Sequence, residues 1–172
     1  MNASPLLLGI TGASGSIYAK RFLRHAKEHG FAVELIVTKT GEAVLKHENC
    51  EAILQNCEKI HKIDDFFAPP ATGSSCYRGM AVLPCSMGTL GRIAAGTSDN
   101  LLIRAADVCL KENRPLVLVP REMPFSEIHL ENMLKLKRAG AAIVPANPHF
   151  YQQPKTIEDL ADTVVEKVFA FF

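Results

Sequence analysis

Two loops rich in glycine, serine and threonine contain the residues best suited to hold a phosphate. TGASGS (residues 11–16) directly follows the apolar run Leu6–Ile10, and PCSMGTLG (residues 84–91) follows a second apolar run. Small residues let the backbone approach a ligand, and the N–H groups at a helix start favour an anion. Neither the GxGxxG spacing of a dinucleotide site nor the GKS/T ending of a Walker A loop is present in the first loop. Two such loops suit the phosphate of a mononucleotide, for which the flavodoxin-like arrangement with FMN is the precedent, and ordinary strand-to-helix turns are the alternative for either loop alone.

A third group of chemically suitable residues lies in LVPREMPFSEIHLENM, residues 118–133. Arg121 and Glu122 follow an apolar run and lie between two prolines that stiffen the turn. A cation and a carboxylate at that place could bind and protonate a phosphate, whereas the alternative is a solvated ion pair. Cys85 adjoins the second loop, but no His or Asp is placed by the sequence to activate it as a nucleophile.

The composition indicates one globular domain covering residues 1–172. The 48% hydrophobic content suffices for a core, and 19 basic against 18 acidic residues give no reason to expect nucleic acid or an anionic membrane as partner. The apolar run near the start is far shorter than the roughly 20 residues that span a bilayer, so a cytoplasmic location is expected. Five scattered cysteines without a CxxC pair favour free thiols and no metal site.

Strands alternate with helices along the chain, and this order predicts a three-layer, doubly wound α/β fold of the Rossmann or flavodoxin-like type with a mostly parallel sheet. The last helix is the clearest, because Thr156 and Asp159 resemble a capping box ahead of apolar positions that run to Phe169. A long loop is expected over residues 64–79. Strands are predicted at residues 5–10, 31–40, 80–83, 116–119 and 141–144, and the earlier helices at residues 16–29, 41–56, 87–95, 100–111 and 126–138.

Several of these segments together resemble the flavin prenyltransferase family, the UbiX-like proteins, from about residue 6 to residue 167. The segments that carry the resemblance are GITGASG, APPATGSS, the long central block PCSMGTLGRIAAGTSDNLLIRAADVCLKENRPLVLVPREMPFSEIHLENM, and PANPHFYQQPKTIEDL. The resemblance implies metal-independent transfer of a dimethylallyl group from dimethylallyl monophosphate to N5 and C6 of reduced FMN. The product, prenylated FMN, would serve a UbiD-like decarboxylase. It also implies a homo-oligomer, commonly a dodecamer, and the apolar residues 168–172 suggest burial against another subunit.

The resemblance also implies roles for individual residues. Ser14, Glu48 and Glu122 match catalytic positions, with Ser14 near the flavin N5 and both glutamates near the prenyl phosphate. Arg104 would join the site from an adjacent subunit. The positions that match flavin contacts are Gly12, Ala13, Ser14, Thr38, Ser86, Met87, Gly88, Thr89 and Arg121, and those that match contacts to the prenyl donor are Arg104, Lys111, Tyr151 and Lys167.

Two other functions stay open at this level. An FMN-dependent cysteine decarboxylase would share the fold, but it normally needs a catalytic histidine after the second strand, and His25 and His29 fall within the first helix. A non-catalytic FMN-binding subunit would not need the phosphate-gripping residues, and those residues are present.

Overall fold

The computed structural model describes residues 4–172, in which six parallel strands form one sheet in the order β3-β2-β1-β4-β5-β6. The strand bounds are β1 Leu6–Ile10, β2 Val33–Val37, β3 Lys59–His61, β4 Gly79–Cys85, β5 Leu116–Pro120 and β6 Ala142–Ile143. The α-helices are α1 Ser16–Glu28, α2 Lys39–His47, α3 Met87–Ala95, α4 Leu101–Lys111, α5 Glu127–Arg138 and α6 Ile157–Phe169. The predicted doubly wound α/β fold is confirmed.

Alternating side chains of the central strands enter two separate cores. Leu6, Leu8 and Ile10 of β1 pack with α1, α2 and α6, whereas Leu7 packs on the opposite face with α3, α4 and α5. All five residues of β1 are buried because both faces of the sheet are covered. The apolar run that looked like a strand in the sequence is therefore the centre of the molecule.

The structure departs from the predicted elements around β3. The helix predicted over residues 41–56 is two pieces, because α2 ends at His47, Asn49 adopts a positive φ of 54° and a short 3-10 helix follows at Glu51–Gln55. None of the predicted strands covers β3. Two of its three residues are exposed, so it carries no apolar run that would identify an edge strand.

The apolar segment 168–172 packs largely within its own chain. Val168 is fully buried, and the ring of Phe169 stacks on that of Phe22 in α1 with centroids 4.6 Å apart. Phe172 lies against Gly79, while Phe171 stays partly exposed. The segment therefore extends the core between α1 and α6, and Ala170 and Phe171 remain exposed.

The direction of the chain across the sheet reverses between β1 and β4. From β1 the chain moves outward to β2 and β3, then returns to place β4 on the other side of β1 and continues to β5 and β6. In open parallel sheets, ligands bind at the carboxyl ends of the strands beside such a reversal. Both glycine-rich loops of the sequence start there, one after β1 and one after β4.

Candidate functional site at the carboxyl edge of the sheet

Hydrogen bonds hold the chain segments that follow β1, β2, β4 and β5 side by side. The Thr38 N–H after β2 donates to the Ile10 carbonyl at 3.0 Å, and the Arg121 N–H after β5 donates to the Cys85 carbonyl at 3.2 Å. Between them, the buried hydroxyl of Thr11 bonds the end of β4. Segments far apart in sequence thus lie side by side along the carboxyl ends of the strands, which we call the carboxyl edge, the opposite ends being the amino edge. The carboxyl edge contains most of the predicted flavin residues.

Glu48 occupies the N-terminus of α1. Its carboxylate accepts hydrogen bonds from the Ser16 N–H at 2.7 Å and from the Gly15 N–H at 3.0 Å. The glycine-rich loop before α1 predicts that this helix start attracts the anion of a ligand. In the structure a side chain of the protein supplies the anion there, although Glu48 lies more than thirty residues away in the sequence.

Glu48 is ionised at neutral pH. Partial burial raises the pKa of its carboxyl, but hydrogen bonds from the Ser14 hydroxyl, from Ser16 and from the Gly15 N–H outweigh burial, so that pKa lies below its ordinary value. The Ser14 hydroxyl therefore lies near a carboxylate that is ionised at neutral pH. Such a pair can orient the hydroxyl and accept a proton through it.

The helices α2 and α3 begin with hydroxyl residues at the same edge. The Thr38 hydroxyl accepts from the Gly41 N–H at 3.0 Å, and the Ser86 hydroxyl accepts from the Thr89 N–H at 3.3 Å. The first turn of α3 contains no acidic residue, in contrast to that of α2, which contains Glu42. The positive end of the α3 dipole is therefore not offset by an acid of its own first turn.

Two glycines show where the space at the carboxyl edge is filled by the protein and where it is free for a ligand. A Cβ at Gly12 would lie 2.6 Å from the side chain of Thr40, so the first loop and the start of α2 are in direct contact. A Cβ at Gly88 would meet nothing nearer than Arg92, at 3.9 Å. The start of α3 thus has room for a ligand against its backbone, and these residues fit a bound FMN.

Arg121 and Glu122 lie exposed at the end of β5. Burial raises the pKa of Tyr18 in α1, and the positive charge of Arg121 opposes that rise, which places the guanidinium within electrostatic reach of α1. The Glu122 carboxylate accepts a hydrogen bond from the Met123 N–H at 3.0 Å. Arg121 therefore lies close to both loops, and Glu122 follows it in the chain as an accessible acid.

The residues expected to hold the prenyl phosphate do not lie together. Some are near the carboxyl ends of the strands and others are near the amino ends. Tyr151 is exposed on the segment after β6 and stacks on His149, with ring centroids 4.1 Å apart. Arg104 lies in the first turn of α4, where it bonds the Ala71 carbonyl and Asp107. Lys111 ends α4 beside Glu112, and Lys167 lies near the end of α6 with its ammonium 5.9 Å from the centre of the Phe171 ring.

Lys111 and Lys167 lie far from the loops of their own chain. α4 starts at the carboxyl edge, where the Leu101 N–H bonds the Ile63 carbonyl beyond β3, and its 11 residues run about 16 Å towards the amino edge. α6 runs in the same direction and ends beside Phe172, whose carbonyl accepts from Arg78 just before β4. A single chain therefore does not bring these two lysines to Ser14 and Ser86.

Two cavities of the structure lie away from the loops. One of about 320 Å³ is lined by Leu110, Pro115 and Phe171, and one of about 980 Å³ by Lys27, Phe31 and other residues at the amino edge.

Burial raises the pKa of the Cys85 thiol to about 12, which agrees with the expectation that Cys85 is not a nucleophile. Within residues 4–172, no group of three His, Cys, Asp or Glu side chains is arranged to hold a metal ion, and no helix is long and apolar enough to cross a membrane.

Comparisons with known proteins agree with this geometry. The Flavoprotein family model matches residues 1–169. The chain is 48% identical to the flavin prenyltransferase UbiX of Halalkalibacterium halodurans, over 93% of this chain and 84% of that protein.

Two solved structures share the whole architecture. The structure of AnUbiX (PadA1) in complex with FMN and dimethylallyl pyrophosphate matches with a TM-score of 0.93 and 40% identity, over 98% of this chain and 91% of that one. A dodecameric FMN-dependent UbiX-like decarboxylase from Escherichia coli O157:H7 matches with a TM-score of 0.92 and 42% identity, over 96% and 93%. The resemblance seen in the sequence is confirmed, and the chain belongs to the flavin prenyltransferase family, the UbiX-like flavoproteins.

Proposed function

We infer that the protein transfers a dimethylallyl group from a dimethylallyl phosphate to N5 and C6 of reduced FMN. The observation that carries this inference is that the segments after β1, β2, β4 and β5 are hydrogen-bonded side by side, which brings the Glu48-bound start of α1, the open start of α3 and Arg121 to one edge of the sheet. FMN enters as the acceptor substrate and supplies the nucleophilic ring atoms. The side chains at the edge then have three tasks, which are to hold the flavin, to stabilise the leaving phosphate and to move protons.

The Ser14–Glu48 pair is suited to proton transfer beside the flavin. The lowered pKa of Glu48 keeps it as a carboxylate, and its bonds to Gly15 and Ser16 fix its position. The Ser14 hydroxyl can then pass a proton towards the carboxylate while N5 is alkylated. Glu48 therefore acts as an acceptor in this proposal and does not serve as the acid for the leaving group.

Arg121 and Glu122 are suited to the departure of the phosphate. Breaking the allylic C–O bond leaves negative charge on the phosphate oxygen, and a nearby cation with a proton donor lowers the free energy of that step. Both side chains are exposed at the end of β5, where a ligand can reach them. Thr38, Ser86 and the start of α3 provide the hydroxyl and N–H groups for the flavin phosphate and ring, in line with the sequence prediction.

The complete site contains residues from more than one subunit. Lys111 and Lys167 lie at the amino edge of their own chain, about one helix length from the loops, so they meet a prenyl phosphate only through a neighbouring copy. Exposed apolar side chains of Phe67, Met123 and Phe150 surround the carboxyl edge and would be covered by such a neighbour. The dodecameric relative supports the same assembly for this protein.

The product implies a second protein. Prenylated FMN is a cofactor, so a UbiD-like decarboxylase is the proposed consumer of the product, and the cytoplasm is the proposed location of both. The donor is dimethylallyl monophosphate in this proposal. The relative with bound dimethylallyl pyrophosphate makes the pyrophosphate the natural comparison.

The reaction can be tested directly on the purified protein. It is mixed under anaerobic conditions with FMN, a reductant and either dimethylallyl monophosphate or dimethylallyl pyrophosphate, and the flavin is then analysed by mass spectrometry. The expected result is a flavin heavier by one C5H8 unit, with faster conversion from the monophosphate. A flavin of unchanged mass with both donors would contradict the proposed function, even where FMN binds.

A further inference from the structure

Thr11 is a buried polar residue at the boundary between β1 and the first loop. It is only 1% exposed, and its hydroxyl makes two hydrogen bonds to one distant segment. It donates to the Pro84 carbonyl at 2.8 Å and accepts from the Ser86 N–H at 2.8 Å. A single hydroxyl therefore bonds both sides of the turn that leads from β4 into α3.

The backbone pairing of the two strands stops just before this point. β1 and β4 are paired from Leu6 with Gly79 to Gly9 with Val82, and β4 has a register irregularity against β5 between Val82 and Cys85. Beyond Val82 the sheet ladder no longer fixes β4 against β1. The Thr11 hydroxyl takes over that function at the level where the ligand loops begin.

Ser86 connects this bond to the start of α3. Its N–H is held by Thr11, and its hydroxyl accepts from the Thr89 N–H as the cap of the helix. On the other side, Thr11 is directly followed by Gly12, Ala13 and Ser14. A shift of Thr11 relative to Ser86 would therefore change the distance between the two loops proposed to hold the flavin.

We propose that Thr11 is a positioning residue for the flavin site, and that its hydroxyl sets the spacing between residues 12–14 and residues 86–89. The proposal rests on the proposed function, since the two loops are taken to bind FMN. Without the hydroxyl, the Pro84 carbonyl and the Ser86 N–H lose their partner, and the end of β4 can move away from β1. Thr11 itself is not expected to touch the reacting atoms.

The test compares Thr11→Val, which removes the hydroxyl at nearly constant volume, with Thr11→Ser, which keeps it. Tyr77→Phe is the matched control, since Tyr77 is also buried and donates its hydroxyl to Glu34 at 2.6 Å, before the start of β4 and at the opposite end of the strands from both loops. The FMN dissociation constant, the KM for FMN and kcat at saturating FMN, and the unfolding midpoint are measured for each protein.

Thr11→Val is expected to raise the FMN dissociation constant about tenfold, the loss that corresponds to a hydrogen-bonded partner removed from a buried site. The KM for FMN should rise in parallel, while Thr11→Ser stays within about threefold of the parent protein. Tyr77→Phe should lower the unfolding midpoint and leave FMN affinity unchanged. Should Thr11→Val not fold, Thr11→Ala against Thr11→Ser gives the same comparison.

Two results would overturn the role of Thr11. One is a hydroxyl-free variant that binds FMN as tightly as the parent protein, and the other is Thr11→Ser being as impaired as the hydroxyl-free variant. FMN binding by the parent protein separates this question from the reaction itself. If the parent protein binds no FMN, the proposed function is contradicted. If the parent protein and its hydroxyl-free variant bind FMN equally tightly, only the positioning role of Thr11 is contradicted.

Discussion

Glu122 lies exposed beside Arg121, where an acid can reach a leaving phosphate. We expect Glu122→Gln to lower the rate of prenyl transfer by about a hundredfold, the usual effect of losing a general acid, and to leave FMN affinity unchanged. The rate is measured by mass spectrometry of the flavin over time, and the affinity by flavin titration. Glu127→Gln, an exposed glutamate in the first turn of α5, is the control, and an unchanged rate in Glu122→Gln would remove Glu122 from the mechanism.

Glu48 stabilises the fold as well as the site. Its pKa lies below the ordinary value, so its contribution to the free energy of unfolding is complete above pH 5 and disappears as the pH falls through the folded-state pKa. We expect Glu48→Gln to lower that free energy by about 1 kcal/mol at pH 7, as for the loss of a helix cap. Urea unfolding at pH 7 and pH 4 measures the difference, which should shrink at pH 4.

The control for Glu48 is Glu51→Gln, which removes an exposed carboxylate three residues further along the chain. It should change the free energy of unfolding little at either pH. A difference between the parent protein and Glu48→Gln that is the same at pH 7 and pH 4 would show that the charge of Glu48 does not stabilise α1.

The contact of Glu48 with the start of α1 could not be predicted from the sequence. The sequence identifies Glu48 through the family resemblance alone, since no local pattern shows that a residue after α2 reaches back to Gly15 and Ser16. Thr11 was missed although it stands in the first loop. Its neighbour Gly12 signals a close approach, but only the three-dimensional position of Pro84 and Ser86 shows what a hydroxyl would do there.

Helix α3 offers a test of the site at the level of an element. Gly88 and Gly91 both lie in α3, and alanine at either position would lower the free energy of the helix by up to about 1 kcal/mol. A methyl group at Gly88 would project into the open space where the flavin is proposed to lie, whereas at Gly91 it would contact Asn132 at 3.4 Å. We expect Gly88→Ala to weaken FMN binding at least about tenfold and Gly91→Ala to leave it unchanged.

Flavin titration and thermal unfolding of both alanine variants measure these effects. Equal FMN affinity in the two variants would mean that the flavin does not approach the start of α3. A lower unfolding midpoint in Gly88→Ala would point to a folding defect in place of a lost ligand contact, because the structure leaves room for the methyl group.

The elements themselves were largely predictable, and the exceptions have physical causes. The bounds of α3 and α6 follow from the spacing of their apolar residues. Each helix also begins after a hydroxyl residue that caps it, Ser86 for α3 and Thr156 for α6. β3 was not predicted, because an exposed edge strand has no apolar run. The break after His47 was missed although Lys46, His47 and Asn49 are residue types typical of a helix end. β6 is shorter than predicted, with only Ala142 and Ile143 paired to β5.

At the scale of the whole molecule, the separation of Ser14 from Lys111 predicts complementation between subunits. Ser14→Ala and Lys111→Ala proteins should each be inactive, because each lacks one part of every site. In randomly mixed oligomers about a quarter of the sites combine an intact Ser14 from one subunit with an intact Lys111 from another. Equimolar unfolding and refolding of the two variants, followed by the prenyl transfer assay, should therefore recover about a quarter of the parent activity.

Mixing the parent protein with the double variant Ser14→Ala/Lys111→Ala is the control. If the two residues act across a subunit boundary, about a quarter of the sites are intact, and if they act within one subunit, about half are. Mixed single variants that stay inactive while this control retains activity would contradict the shared site. Size measurements before and after refolding show that the subunits have exchanged.

The central position of β1 has a consequence for how the chain acquires its fold during synthesis. β1 is made first among the strands, all its side chains are apolar or glycine, and its partner β4 begins only at Gly79. Until that segment has left the ribosome, one edge of β1 has no strand to pair with, and the core residues of both faces lack most of their cover. Because such an unpaired apolar edge attracts other chains, we expect the first half of the molecule to be prone to aggregation until its second half is made.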